Sequence, residues 1–431
     1  MSEFTAVRGM RDFLPEEARI MRFIEGKARE VAKNFGYKEI ITPVVEPYEL
    51  LAAKAGEEVR LRMYTFKDLG GRMVALRPEF TPSVARLVAT TLRNEPKPLR
   101  LFCVGSLYRY DEPQQGRYRE FWQSNFELMG SDRPEADAEI ILLTNSLMKS
   151  VGLKNFLFKV GHVGILKGVM SKEGLEEKVQ NKVMQLMDKK QYVDALKLLE
   201  DSGATEKCVA TLKEIVELKG GEVFETIARL REKVKDYEGA LEALENLRQI
   251  LELVQGSGIK INLTVDASFA RGLEYYTGVI FEVYVPELDI ALGGGGRYDK
   301  LIELFGGEPT PAVGIAHGLD RIMLAMQRQN VIVKEELKEN VMVIPVKEEL
   351  KCEALKISQM LREAGLSVEV EVMGRKVSKA LEDADRRNIG FAVIVGEKEL
   401  KDGAVVVRNL VKREQEVVEI EKIADVIKGI K

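Results

Sequence analysis

Leu107-Tyr108-Arg109-Tyr110-Asp111-Glu112-Pro113-Gln114-Gln115-Gly116-Arg117-Tyr118-Arg119-Glu120-Phe121-Trp122-Gln123-Ser124-Asn125-Phe126-Glu127 is the stretch on which the fold turns. Its flanks, residues 99–110 and 120–129, are rich in aromatic and aliphatic side chains and read as strands. The polar run 111–119 between them reads as a mobile hairpin loop. If the flanks pair antiparallel, Arg109 and Phe121 line one surface. Guanidinium groups bind phosphate oxygens through charge-assisted, often bidentate hydrogen bonds. An aromatic ring offers a face to a purine base. The plainer alternative is a solvated hairpin whose arginines Arg109, Arg117 and Arg119 pair with Asp111, Glu112 and Glu120.

Upstream, residues 16–35 carry Ile20, Phe23, Ile24, Ala28, Val31 and Phe35 on one helical stripe, and 37–45 read as a strand ending near Pro43. Residues 72–76 form a further strand candidate. They lead into Leu76-Arg77-Pro78-Glu79-Phe80-Thr81-Pro82-Ser83, where a carboxylate and a hydroxyl held between prolines suit an ammonium group. Alternatively Thr81 or Ser83 caps a helix over 84–92.

Downstream, residues 165–258 are rich in Lys and Glu with helical periods, as at Leu244, Leu247, Leu251 and Val254, and read as a helical insertion. Strands resume at 260–265 and 279–285. Arg271-Gly272-Leu273-Glu274-Tyr275-Tyr276-Thr277-Gly278 lies between them. The run Gly293-Gly294-Gly295-Gly296-Arg297-Tyr298-Asp299 reads either as tight turns or as backbone that lets a ligand approach. It lacks the Gly-Lys-Ser/Thr of a phosphate-binding loop, and Tyr298 stands where a dinucleotide motif needs its third glycine. Gly314-Ile315-Ala316-His317-Gly318-Leu319-Asp320-Arg321 falls in a helix expected at about 313–328. Beyond a charged linker, 334–340, strands at 341–345, 368–372, 391–395 and 404–408 alternate with helices at 349–364 and 377–387. That alternation implies a small α/β domain with a largely parallel sheet.

The whole chain, at 431 residues, is too long for one ordinary core and implies two or three domains. Its net charge of −4 argues against bulk electrostatic coating of nucleic acid, while leaving room for local basic patches. No apolar run approaches the ~20 residues that span a bilayer, and Met1-Ser2-Glu3-Phe4 lacks a signal-peptide layout. Cys103, Cys208 and Cys352 are far apart and read as free buried thiols in a reducing, cytoplasmic compartment. With only His162 and His317 present, neither a zinc cluster nor a histidine-activated nucleophile is expected.

Taken in order, these segments resemble the three motifs of a class II aminoacyl-tRNA synthetase. Residues 16–43 resemble the first, dimer-forming motif, 109–127 the second, and Gly314 through Arg321 the third. Arg77-Pro78-Glu79-Phe80-Thr81, Arg271 through Gly278 and Gly295-Gly296-Arg297-Tyr298-Asp299 resemble the signatures of the histidyl-tRNA synthetase family. The resemblance implies an α+β class II catalytic domain, an antiparallel sheet flanked by helices, with a helical insertion and a C-terminal α/β anticodon-binding domain. The implied boundaries are 1–164 and 259–333 for the two parts of the catalytic domain, 165–258 for the insertion and 341–431 for the anticodon-binding domain.

The resemblance also implies roles. Glu79, Thr81 and Gln123 would hold the α-amino group of histidine, and Glu127 and Tyr276 its imidazole, with Tyr275 beside them. Arg109 would grip the α-phosphate of ATP, Arg117 and Arg321 the outer phosphates, and Phe121 would stack under adenine near Asp111. Arg271 would bridge the histidine carboxylate and the α-phosphate, making it catalytic together with Arg109. Mg²⁺ would accompany ATP. The partners would be histidine, ATP, tRNA(His) and a second copy of the chain. Glu274 stands where Asp is commoner, Asp111 where Glu is, and Glu112 replaces a basic residue of the bacterial pattern.

Rival readings differ in class. A catalytically silent relative that senses histidine as a regulatory subunit of histidine biosynthesis would lack the anticodon domain and degrade the ATP arginines. A class I synthetase would pair Lys376-Val377-Ser378-Lys379-Ala380 with a His-x-Gly-His segment, which neither histidine supplies. A kinase regulator built on this fold would need a kinase domain on the same chain. Lys376, Lys379, Arg386 and Arg387 read either as a solvated helical face or as a contact to the anticodon stem.

Overall fold

The structure is a computed structural model, and it describes residues 4–53, 55–218, 220–269, 275–333 and 340–429. Two compact units emerge, Met1–Val333 and Lys334–Lys431.

The first unit is built on an eight-stranded sheet. Its order runs Lys38–Glu39, Leu99–Tyr108, Glu120–Met129, Ala312–Gly318, Gly293–Arg297, Val279–Tyr284, Leu157–His162 and Leu263–Val265. The inner pairs are antiparallel, and only the outermost pair at each edge is parallel. The quoted hairpin is its centre: Leu99 to Tyr108 pairs residue for residue with Met129 to Glu120. Both faces of Glu120–Met129 are covered over its second half, so polar Asn125 and Glu127 are buried there as fully as Phe126 and Leu128.

Helices pack on this sheet for local reasons. Pro15–Asn34 begins with a proline whose missing N–H costs nothing in a first turn, followed by Glu16 and Glu17 at the positive end of the helix dipole. Its stripe Met21, Ile24, Ala28 and Val31 is buried. Pro134–Ser150 starts the same way. Among the described residues, six helices lie between Val163 and Gly256. Two of them approach closely because Gly168 has no side chain; a Cβ there would stand 2.3 Å from the backbone N of Ala240.

Three local expectations fail. Residues 313–318 are strand rather than helix: Ala312–Gly318 pairs along Glu120–Met129, and the helix begins only at Leu319. Its alternation of Val313 and Ile315 with glycines and alanine suits a pleated strand covered on both faces. Gly293–Arg297 is likewise a strand, not a turn. Residue Cys352 is exposed, whereas Cys103 and Cys208 are buried as expected.

The second unit holds a five-stranded sheet, ordered Ser367–Val370, Asn340–Pro345, Phe391–Val395, Ala404–Asn409 and Glu414–Glu419. The first three strands are parallel and the last two antiparallel, so the sheet is mixed rather than largely parallel. The strand Glu414–Glu419 escapes the sequence reading because only Val418 in it is buried. Val341, Val343, Val393, Val405 and Leu361 belong to the core of this unit. On the helix Val377–Arg386, Asp383 binds Arg386 at 2.6 Å and Arg387 at 3.4 Å. That internal compensation supports the solvated-face reading for the two arginines. Among the described residues no helix is long and apolar enough to cross a membrane.

Candidate active site

A cleft of about 270 Å³ opens over the centre of the large sheet. Strand periodicity assembles it. Phe121, Gln123, Asn125 and Glu127 alternate along one strand and therefore project to one face, and all but Glu127 line the cleft wall directly. Opposite them, Gly314 pairs with Glu127 and Gly318 with Gln123.

The inner end is polar and closed. Glu127 is buried, and its Oε1 accepts from Thr81 Oγ1 at 2.7 Å and from Asn125 Nδ2 at 2.5 Å. The Tyr298 hydroxyl donates to its Oε2. Burial pushes the Glu127 carboxyl up to about 7, with Glu79 adding to the rise while the hydrogen bonds from Tyr298, Thr81 and Asn125 oppose it. Room for this carboxylate exists only because residue 314 is glycine: a Cβ there would lie 1.7 Å from Glu127 Oε2. Beside it the Tyr275 hydroxyl donates to Glu79 Oε2 at 3.0 Å. The Tyr275 ring packs against those of Tyr276 and Tyr298, with centroids 4.9 and 5.7 Å away. Burial, reinforced by the Glu79 charge, holds the Tyr275 hydroxyl well above the usual phenol range. The Oε1 of Gln123 is buried without a hydrogen-bond partner among the described residues, although an amide oxygen in such a place ordinarily has one.

The outer end is cationic. Arg109 continues the hairpin one step beyond the strands, its N–H donating to the Arg119 carbonyl at 2.9 Å. Its guanidinium donates to the Pro78 carbonyl at 2.9 Å and lies 5.5 Å from the centroid of Phe121. Arg321 donates to the carbonyls of Gly116 and Ala291, which ties the loop after Arg109 to the helix Leu319–Arg328. Arg117 also lines the cleft.

The carboxylates that a solvated hairpin would use are engaged elsewhere. Asp111 binds Arg62 at 2.9 Å, Glu112 binds Arg8 at 2.9 Å, and Glu120 accepts from Tyr108 at 2.9 Å. Of the three hairpin arginines, Arg119 is structural: it is buried, lies 3.7 Å from the centroid of the Tyr110 ring and donates to the Asp111 carbonyl. Thr81 does not act as a helix cap. Helix Thr81–Ala89 starts after Phe80 with no side-chain cap, and the Thr81 hydroxyl turns to Glu127 instead.

The structure thus brings Glu79, Thr81, Gln123, Tyr275 and Tyr276 to one end of the cleft, against the buried Glu127. It brings Arg109, Asp111, Arg117, Phe121 and Arg321 to the other end. Arg271 and Glu274 lie outside the described residues. Sequence reading missed Asn125, Tyr298 and Gly314 as parts of the glutamate's cradle. Alternation from Glu127 back to Asn125 was a usable signal; the pairing of Gly314 with Glu127 was not, because it is non-local. Asp188, at the end of the helix Glu177–Asp188, also lines the cleft, and no pattern in its neighbourhood announces it.

Neither histidine offers acid–base chemistry. His317 is buried against Ser124 and Thr144, and burial lowers it to about 3. His162 caps the helix Val163–Lys172 by accepting from Gly164 N, and burial lowers it to about 4. The cleft therefore favours a ligand with hydrogen-bonding or cationic groups at its inner end and phosphates at its outer end, held without a protein nucleophile.

Comparison with known proteins agrees with this architecture. The family profile described as histidyl-tRNA synthetase matches residues 9–322, and the one described as anticodon binding domain matches residues 340–430. A histidine–tRNA ligase of Methanocaldococcus jannaschii is 45% identical over 98% of this chain and 99% of its own length. One of Saccharolobus solfataricus is 40% identical over 99% of both chains. The crystal structure of histidyl-tRNA synthetase from Nostoc sp. PCC 7120 superposes with a TM-score of 0.79 over 100% of this chain and 99% of that one; at 24% identity this speaks to the fold alone. The large sheet with its flanking helices is thus a class II aminoacyl-tRNA synthetase catalytic domain, followed by an anticodon-binding domain with its own sheet. The chain belongs to the histidyl-tRNA synthetase family.

Proposed function

We propose that this protein activates histidine with ATP and transfers it to tRNA(His). The observation that carries the reading is the polarised cleft: a buried carboxylate cradled by Thr81, Asn125 and Tyr298 at one end, and Arg109, Arg117 and Arg321 at the other. An imidazole has two ring nitrogens, and a site must satisfy both. Glu127 and Tyr276 serve them, with Tyr275 alongside. Glu79, Thr81 and Gln123 take the α-amino group, and the buried, unpartnered Gln123 oxygen favours a donor arriving there.

In the first step the histidine carboxylate attacks the α-phosphorus of ATP, forming the adenylate and expelling pyrophosphate. A carboxylate is already ionised at neutral pH, so no general base is required, consistent with two buried neutral histidines. Catalysis then rests on positioning and charge stabilisation. Arg109 and Arg271 meet charge at the α-phosphate, Arg117 and Arg321 hold the outer phosphates, and Phe121 stacks under adenine near Asp111. Mg²⁺ enters with ATP as part of the substrate, carried mainly by its phosphates; the described residues offer no group of three or more His, Cys, Asp or Glu side chains to hold an ion. In the second step a terminal ribose hydroxyl of tRNA attacks the acyl carbon and releases AMP.

The active form is a cytoplasmic homodimer in this reading. Its interface runs along the edge strand Lys38–Glu39, beside which Ile41, Val44 and Val45 stand exposed. The histidine-sensing regulatory reading is disfavoured by the full-length ligase relatives and by the anticodon-binding domain at residues 340–430. Charging of tRNA(His) with labelled histidine tests the proposal: accumulation of histidyl-tRNA is expected, and histidine binding without charging would support the regulatory reading.

A further inference from the structure

A second concavity, of about 440 Å³, lies in the first unit away from the cleft. Its wall is formed by Asn145 and Lys149 near the end of the helix Pro134–Ser150, by Lys154 and Phe156, and by Lys260 and Asn262. These last four precede the strands Leu157–His162 and Leu263–Val265. The large sheet ends there, at the edge opposite Lys38–Glu39.

The chemistry of the wall is one-sided. Lys149, Lys154 and Lys260 are exposed, no carboxylate lines the groove, and none of the three lysines forms an ion pair among the described residues. The neighbouring Lys159 behaves differently, binding Asp266 at 2.9 Å. A position near a helix C-terminus accounts for Lys149, whose charge complements the helix dipole. It does not account for Lys154 or Lys260, which lie in no helix. Asn145, 2% exposed, and Asn262 also line the groove and add amide groups to its wall. Three ammonium groups, two amides and no competing acid form a receptor for phosphate oxygens, set in a chain whose net charge is −4.

We propose that this groove holds backbone phosphates of the tRNA, an inference that rests on the proposed charging function. An RNA substrate supplies successive phosphates along one strand, which suits three ammonium groups spread along one wall. Free pyrophosphate is the competing source of the same chemistry.

The test is the triple variant Lys149→Ala/Lys154→Ala/Lys260→Ala in the full-length protein. None of these side chains touches the cleft, so histidine-dependent ATP–pyrophosphate exchange should be unchanged, which also shows that the variant is folded. Each duplex phosphate contact contributes about 0.9 to the slope of log K against log salt. Loss of three contacts should flatten that slope by about 2.7. Between 50 and 200 mM salt the parent should therefore lose roughly 40-fold more affinity for tRNA than the variant. Normal exchange with unchanged tRNA affinity and salt slope would overturn the groove assignment. So would a variant that differs only in binding free pyrophosphate. Absence of tRNA binding by the parent would refute the charging function instead.

Discussion

Replacing Glu127 with Gln probes the inner end of the cleft most sharply. The carboxylate is buried, accepts three hydrogen bonds and titrates at about 7. Gln is nearly isosteric but loses the charge, and its new NH₂ faces either the Tyr298 hydroxyl or the Thr81 and Asn125 donors. A hydrogen bond to a charged group contributes about 1.5–3 kcal/mol, so histidine KM should rise by roughly 10- to 100-fold at pH 8. The KM for ATP, bound at the other end, should stay within about threefold. The pH dependence adds an independent check. A group titrating near 7 is only about one-tenth ionised at pH 6, so the parent should lose about tenfold in histidine affinity there. Free histidine titrates in the same range, and the ratio of variant to parent KM removes that contribution. The ratio should shrink by about tenfold between pH 8 and pH 6. Steady-state pyrophosphate exchange at several pH values measures it. A ratio independent of pH, or equal rises in both KM values, would refute a contact between imidazole and an ionised Glu127.

Four further outcomes are expected. Gly314→Ala places a methyl 1.7 Å from Glu127 Oε2 and 2.8 Å from the Phe126 carbonyl, so the carboxylate must leave its cradle; exchange should fall by at least about 100-fold and overpacking should cost about 1–3 kcal/mol of stability. Tyr298→Phe removes a donor that pulls the Glu127 carboxyl down, so the pH midpoint for histidine binding should move upward, and an unchanged or lower midpoint would contradict the cradle. Because the folded-state value of about 7 lies above the ordinary 4.5, the contribution of Glu127 to stability is full below pH 4.5 and is lost as pH rises through 7. Denaturation of the parent against Glu127→Gln should reveal a pH-dependent difference of up to about 3 kcal/mol, favouring the parent at the acid end. Arg271→Ala should keep the fold yet lose about 10²–10³ in exchange rate, by analogy with the removal of one donor from a preorganised site; near-normal exchange would remove Arg271 from the mechanism.

Much of this site was legible because its residues sit on one hairpin. Alternation along Glu120–Met129 puts Phe121, Gln123 and Glu127 on one face whatever the rest of the chain does, and the structure pairs that strand antiparallel with Leu99–Tyr108. What escaped was non-local. Gly314 faces Glu127 only because strands almost two hundred residues apart are neighbours. Tyr298 reaches the same carboxylate from just beyond a strand that reads, in isolation, as a glycine turn. The helix expected at 313–328 failed at its start because apolar residues spaced for a buried strand also fit a helix period. In the second unit, Glu414–Glu419 is too polar to signal a strand, since backbone pairing with Ala404–Asn409 rather than burial defines it.

The central claim is that one cleft selects histidine and drives its reaction with ATP. Amino-acid-dependent exchange of labelled pyrophosphate into ATP, run with each of the twenty amino acids in turn, tests it most directly. Histidine alone should support exchange. Exchange with a different amino acid, or with none while histidine still binds, would contradict the account.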